Sequence, residues 1–268
     1  MGDAGKLDVT RNNIYSLNIM GFGACMIGGF PDVSESFFRI ACDFVSIKLE
    51  CSIDSSVKSL HGFSAPRAEK HIKKLICLKP DYVIFQFGSS DASCGLGLSG
   101  VQIKRRVSAG TGLRAALPSS RKLHPPTPLT LLRWQVSSFI GHFLNPTPVT
   151  DLESFIAAYE SMITQCISSD ITPVVLSPFI FGTRHSMNNA IRYAQSLNDL
   201  CLKLNGAVYV DCIDPLSKFP KSQILLDDAM HLGQLGHKLV GEAVGNAIFD
   251  DVVAKKYDAR TLDNASPT

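Results

Sequence analysis

Short apolar runs alternate with stretches of helical periodicity along most of this 268-residue chain. Tyr15–Met20 is the first strand the pattern predicts, followed by a helix around Val33–Cys42. Phe44–Cys51, rich in β-branched and aromatic residues, reads as the second strand. Ala65–Leu78 reads as a helix with Lys and His on one face. Asp81–Phe87 has the continuous apolar character of a fully buried strand, ended by Gly88. Leu152–Ser168 is expected to be helical, Pro173–Ser177 a strand, Ser186–Leu204 a long helix and Ala207–Asp211 a fifth strand. A last helix is expected over Leu235–Val253, with the final dozen residues a frayed tail. Such alternation implies one α/β domain over residues 1–268. Its sheet would be doubly wound, parallel, of about five strands, with helices on both faces. Ligands of such sheets bind beyond the carboxyl ends of the strands. Cys25, Gly88–Asp91 and Ser177–Gly182 all follow predicted strand ends, so they should share one edge.

Residues 92–150 break the alternation. They are rich in Ser, Gly, Pro and Leu, with Pro125-Pro126-Thr127-Pro128 and Asn145-Pro146-Thr147-Pro148 as breakers. A helix over Leu129–Phe143 would carry Trp134, the only tryptophan. The stretch holds Lys104, Arg105, Arg106, Arg114, Arg121, Lys122 and Arg133 but no Asp or Glu. A long insertion after an active-site strand is the usual place for a lid or binding element.

Composition narrows the class without naming a reaction. Hydrophobic content of 45% and charged content of 19% are those of a globular chain. A formal net charge of +2 gives no support to nucleic-acid binding by the chain as a whole. No run is long and apolar enough to span a bilayer, and Met1–Asp8 lacks the basic-then-apolar pattern of a signal peptide. The eight cysteines include no Cys-x-x-Cys pair, so most are expected to be reduced, buried residues of a cytoplasmic protein. The seven histidines show no His-x-x-x-His spacing, and no metal is expected. Gly21-Phe22-Gly23 follows a strand, but the third glycine of a dinucleotide fingerprint is replaced by Met26, and no P-loop Gly-Lys-Ser/Thr is present. No cofactor is expected.

Two segments carry chemistry. Leu17–Gly29 is an apolar strand running into a glycine-rich turn, with Cys25 where a strand-to-turn nucleophile would stand. Asp228 precedes His231 by three residues. The carboxylate can hold the imidazole Nδ1–H and leave Nε2 as a base. The run Asp228-Ala229-Met230-His231-Leu232-Gly233-Gln234-Leu235-Gly236-His237 resembles the last block of the GDSL/SGNH hydrolase family. Other blocks follow in order: Gly23-Ala24-Cys25 for the family's Gly-Asp-Ser, Gly62 for its loop glycine, and Gly88-Ser89-Ser90-Asp91 for its Gly-x-Asn-Asp. The resemblance covers most of the chain outside the insertion. It implies a three-layer SGNH-hydrolase-like sandwich with a catalytic acid and base at Asp228 and His231. It also implies an oxyanion hole from the Cys25 and Gly62 amides and Ser90.

The departures matter as much. Cysteine replaces the family's serine, Ala24 its aspartate and Ser90 its asparagine. Of the four signature residues only Gly62 and His231 keep their identity. A cysteine entering a helix N-terminus beside a histidine ionises readily, with a thiol pKa of about 3.5–7.5. The resemblance therefore implies an acyl-hydrolase or acyltransferase with a Cys25–His231–Asp228 triad. It would act on esters or thioesters through an acyl-cysteine intermediate. Carrier-protein or coenzyme A thioesters, anionic through their phosphates, suit the basic insertion as partners. Trp134, Phe179 and Phe181 are candidates to line an acyl pocket. The alternative is a non-catalytic protein of the same fold that binds a ligand or partner, with Cys25 merely structural.

Overall fold

The computed structural model describes residues 16–29, 36–93, 124–132, 136, 148–179, 184–228 and 231–264. Strand β1 (Ser16–Gly23) leads through helix α1 (Phe37–Leu49) to β2 (Ser52–Ser59). Two short helices, α2 (Ala65–Glu69) and α3 (Ile72–Ile76), precede β3 (Tyr82–Gln86) and the single turn α4 (Ser89–Ala92). Beyond the insertion come α5 (Leu152–Ile167), β4 (Thr172–Leu176), α6 (Arg184–Leu204) and β5 (Val208–Val210). The short helices α7 (Ile213–Ser217) and α8 (Lys221–Ile224) then lead to the long α9 (Gln234–Asn264). The strands form one sheet in the order β2-β1-β3-β4-β5, with every pairing parallel.

Alternation along each strand divides the core into two layers. Leu17 and Ile19 of β1, Tyr82 and Ile84 of β3, and Val174 and Leu176 of β4 face α1 and α9. Their neighbours Met20, Phe22, Val83, Phe85 and Val175 face α2, α3, α5 and α6. A strand buried on both faces has no polar position to alternate with, which is why β3 is legible as an apolar run. Helices α1 and α9 pack closely against each other. A Cβ on Gly241 would sit 2.7 Å from the Ile40 Cβ, and one on Gly245 would sit 2.8 Å from the Phe44 ring. Two glycines four residues apart thus let the backbone of α9 approach α1.

The second strand is the main correction to the sequence reading. Phe44–Cys51 is not a strand: α1 runs on to Leu49, with Phe37, Phe38, Ala41, Cys42 and Val45 buried at helical spacing. The Ser36 side chain caps the start by accepting the Arg39 N–H at 3.2 Å, and Glu50 closes the end with φ 49°. The true strand is the next segment, Ser-Ile-Asp-Ser-Ser-Val-Lys-Ser, polar because it forms the exposed edge of the sheet. The helix expected over Ala65–Leu78 is two helices broken at residues 70–71. The expected frayed tail is helical through Asn264. Within the insertion, residues 128–132 and 136 are helical, and Trp134 lies outside the described residues. Among the described residues no helix is long and apolar enough to cross a membrane.

Candidate active site

Strand β1 ends between two partners, Gly23 pairing with Ser59 on one side and Gln86 on the other. A Cβ on Gly23 would stand 2.8 Å from both the Gln86 Cβ and its carbonyl oxygen, so only glycine fits this close approach. The Ala24 N–H donates to the Gln86 carbonyl at 2.9 Å, and the chain then turns, closed by Gly29 N–H to the Met26 carbonyl at 3.1 Å. Cys25 stands in this turn, partly exposed between buried Ala24 and Met26. The turn is not the first turn of a helix, which corrects one expectation: the charge beside the sulfur is not that of a helix N-terminus.

The charge comes from imidazoles. Leu225 and Leu232 form an antiparallel bridge, Leu226 N–H donates to the His231 carbonyl at 2.9 Å, and Gly233 N–H donates to the Ile224 carbonyl at 2.8 Å. Asp228 and His231 lie between these paired residues. Asp228 accepts the His231 backbone N–H at 3.0 Å through Oδ1 and its ring Nδ1–H at 2.5 Å through Oδ2. His231 Nε2 in turn lies 3.1 Å from Cys25 Sγ. Sulfur, imidazole and carboxylate, 206 residues apart at their extremes of contact, therefore form one continuous chain.

A second imidazole joins them. His61 stands close enough to Cys25 for each to shift the other's ionisation. It is held there by the β1–β2 pairing: Ser59 Oγ donates to the Ala24 carbonyl at 2.9 Å and Leu60 N–H donates to the Gly23 carbonyl at 2.7 Å. Sequence reading did not single out His61. The available signal was its place directly before Gly62, the loop glycine, which adopts φ +68° in the same turn.

These contacts decide the ionisation. Burial raises the Cys25 thiol pKa, but His231 and His61 outweigh it and bring it from 9.0 down to about 6. Burial lowers the His231 pKa, but Asp228 and Cys25 outweigh that and raise it to about 10. His61 is also raised, chiefly by Cys25. Both shifts favour the thiolate–imidazolium form of the pair over the neutral form. The thiolate is the form of cysteine that can act as a nucleophile.

The loops expected to supply an oxyanion hole are joined beneath the site. Asp91, fully buried, accepts Gly88 N–H at 3.1 Å and Ala65 N–H at 3.1 Å. It thus ties the loop bearing Ser90 to the segment just after Gly62. Among the described residues the Cys25 and Gly62 backbone N–H groups have no hydrogen-bond partner. Ser90 is partly exposed in the first turn of α4, and its carbonyl accepts from Ser93 Oγ at 2.8 Å. Phe179, expected to line a pocket, is instead a core residue, 2% exposed and packed edge-on against Phe37. Trp134 and Phe181 lie outside the described residues. His237 is buried, accepts the Phe37 N–H at 3.2 Å and stacks on that ring. Among the described residues no group of three or more His, Cys, Asp or Glu is arranged to hold a metal.

The five-stranded parallel sheet with helices on both faces is the fold of the SGNH hydrolases. An acetylxylan esterase from Geobacillus stearothermophilus superposes with a TM-score of 0.58 over 87% of this chain and 94% of its own, at 13% identity. A lipase/acylhydrolase from Enterococcus faecalis superposes with a TM-score of 0.59 over 88% and 96% of the two chains, at 16% identity. Catalytic mutants of the acetylxylan esterase replace a serine, an aspartate and a histidine three residues after that aspartate. No protein-family model matches this chain, and no curated protein matches it in sequence.

Proposed function

We propose that this protein is an acyl-hydrolase or acyltransferase that attacks small acyl esters or thioesters with Cys25. The observation that carries the reading is the chain of contacts itself: Cys25 Sγ to His231 Nε2 at 3.1 Å, and His231 Nδ1 to Asp228 Oδ2 at 2.5 Å. The thiolate adds to the carbonyl carbon, and the resulting oxyanion is received by the Cys25 and Gly62 amides, with the Ser90 hydroxyl as third donor. One such donor contributes about 10²–10³ in rate where it has been removed. Collapse expels the alcohol or thiol and leaves an acyl-cysteine thioester. Water or an acceptor hydroxyl or thiol then takes the acyl group, with the His231–Asp228 pair directing the proton.

Two considerations favour this reading over passive ligand binding. A buried thiol with no function is pushed up in pKa, as burial does to Cys42, Cys166 and Cys201, each to about 12. Among the described cysteines, Cys25 alone is shifted down, to about 6. Perturbation by specific charge partners at the carboxyl edge of a parallel sheet is the signature of a reactive site. The Asp–His spacing of three also equals that of the catalytic pair in the acetylxylan esterase. A thioester intermediate suits thioester donors, and the seven Lys and Arg of residues 92–150, with no acid among them, suit an anionic carrier such as coenzyme A or an acyl carrier protein.

The test is intact-protein mass after rapid mixing with acetyl and butyryl thioesters and with p-nitrophenyl acetate. One acyl group should appear on the peptide bearing Cys25 and be lost in the Cys25→Ala variant. Unlabelled protein, or labelling that survives Cys25→Ala, would sink the reading and leave a ligand-binding protein of this fold.

A further inference from the structure

We propose that Asp91 is a positioning residue for the oxyanion hole: its buried carboxylate ties the loop bearing Ser90 to the turn bearing Gly62. The inference rests on the acyl-transfer reading above and assigns a role to a side chain outside the Cys25–His231–Asp228 chain. The sheet order sets the problem. Strands β2 and β3 flank β1, so the segments that follow them leave the sheet on either side of the Cys25 turn. Among the described residues no strand pairing joins β2 to β3. Asp91 makes the connection: Oδ2 accepts the Gly88 N–H at 3.1 Å, and Oδ1 accepts the Ala65 N–H at 3.1 Å.

Each end of this tie fixes one donor of the hole. Ser64 holds the N-cap position of α2 but makes no side-chain cap hydrogen bond, although serine there ordinarily does. Asp91, 26 residues on from Ala65, binds the first amide of that helix instead. The amides of Arg67 and Ala68 return to the Ser64 carbonyl at 3.1 and 2.9 Å, and Phe63 N–H closes on the Leu60 carbonyl at 3.2 Å. Holding Ala65 therefore holds the adjoining turn, with Gly62 at φ +68°. On the other side Gly88, at φ +108°, opens α4, and Ala92 N–H closes the turn on its carbonyl at 2.9 Å around Ser90. Asp91 binds neither the Cys25 nor the Gly62 amide, so both stay available to an oxyanion.

The position is costly, which argues for a role beyond capping. Asp91 is 0% exposed, and a carboxylate without contact with water is disfavoured in its charged form. A residue that only capped a helix could stand at the surface, as the exposed Asp151 does for α5. In the acylation step a sulfur lone pair forms the S–C bond while the carbonyl π pair moves onto oxygen. The charge on that oxygen is what Gly62 and Ser90 must meet in the right place. Asp91 exchanges no proton or electron pair; it sets where the donors stand. A misplacement of about 1 Å at such donors costs about 10²-fold in rate.

The experiment compares two reactions of Cys25 in wild type, Asp91→Asn and Asp91→Ala: acylation by p-nitrophenyl acetate and alkylation by iodoacetamide. Acylation builds charge on a carbonyl oxygen and needs the hole. Alkylation displaces iodide at a tetrahedral carbon and does not. Asp91→Ala should acylate about 10²-fold more slowly at saturation, with the half-saturating ester concentration within about threefold of wild type. Asp91→Asn, which keeps one acceptor oxygen, should slow by about tenfold. The alkylation pH profiles of both variants should stay within about 0.3 pH unit and twofold in plateau of wild type. Similar slowing of both reactions would mean that Asp91 holds up the site as a whole, and overturns the proposal. No slowing of acylation overturns it as well. If Asp91→Ala does not fold, Asp91→Asn carries the same comparison. If wild type itself forms no acyl adduct, the acyl-transfer reading fails and takes this role with it, an outcome no variant can mimic.

Discussion

Replacing His231 by Gln should convert Cys25 from a thiol of lowered pKa into an ordinary buried thiol, and the size of the change can be worked from the site. In the wild type the pKa is held at about 6 against an ordinary 9.0, about a thousandfold in acidity. In the variant, burial still raises the thiol and His61 still lowers it, so the ordinary value is a fair reference. At pH 7 the thiolate fraction would then fall about 90-fold. A more basic thiolate is a better nucleophile, however, and a Brønsted slope of about 0.4–0.5 returns a factor of about 20. Alkylation by iodoacetamide at pH 7 therefore slows only about fivefold. At pH 5.5 the fraction ratio is about 760 and the net slowing about 40-fold. The decisive measurement is thus the whole pH profile of Cys25 alkylation, read by peptide mass, and not a rate at one pH. Wild type should show a midpoint near pH 6, and His231→Gln a midpoint displaced toward 9 with a higher plateau. A wild-type midpoint above about 8, or two superposable profiles, would refute the ion-pair reasoning.

Three further outcomes are expected. Gly241→Ala should destabilise the protein by about 1–3 kcal/mol in urea unfolding, although alanine is the better helix former, because its Cβ would meet Ile40 at 2.7 Å. Burial raises the Asp91 carboxyl from 3.8 to about 6, so the folded chain holds that proton more tightly and loses about 3 kcal/mol as pH rises through this window. Asp91→Asn should remove that slope in urea midpoints taken from pH 4 to 6.5. Burial, then the nearby His231 charge, lowers His237 from 6.5 to about 4, so its contribution of about 3 kcal/mol has the opposite sign and is lost as pH falls. His237→Gln should expose the Asp91 slope, and a pH response identical to wild type would contradict the assignment.

How much of this was legible in the chain depends on what each segment buries. Tyr82–Gln86 and Leu152–Ile167 were plain because one is covered on both faces and the other presents a clean apolar stripe. Phe44, Val45 and Ile47 misled because their β-branched and aromatic character suits a strand. Only the helical phase, with Val45 buried and Ile47 77% exposed, gives the helix away. The edge strand Ser52–Ser59 buries too little to leave an apolar signature. The same blindness explains the site. Asp228 and His231 stand three residues apart and were recognisable as a pair, whereas His61 reaches Cys25 only through the pairing of β1 with that polar strand. A sequence reading that misses the strand must also miss the imidazole at its end. It then assigns the low thiol pKa to a helix N-terminus that is not there. The lowered thiol pKa of Cys25 is therefore a tertiary property. It depends on an edge strand with almost no hydrophobic signal of its own, and polar substitutions in Ser52–Ser59 that loosen its register should be felt first at the sulfur.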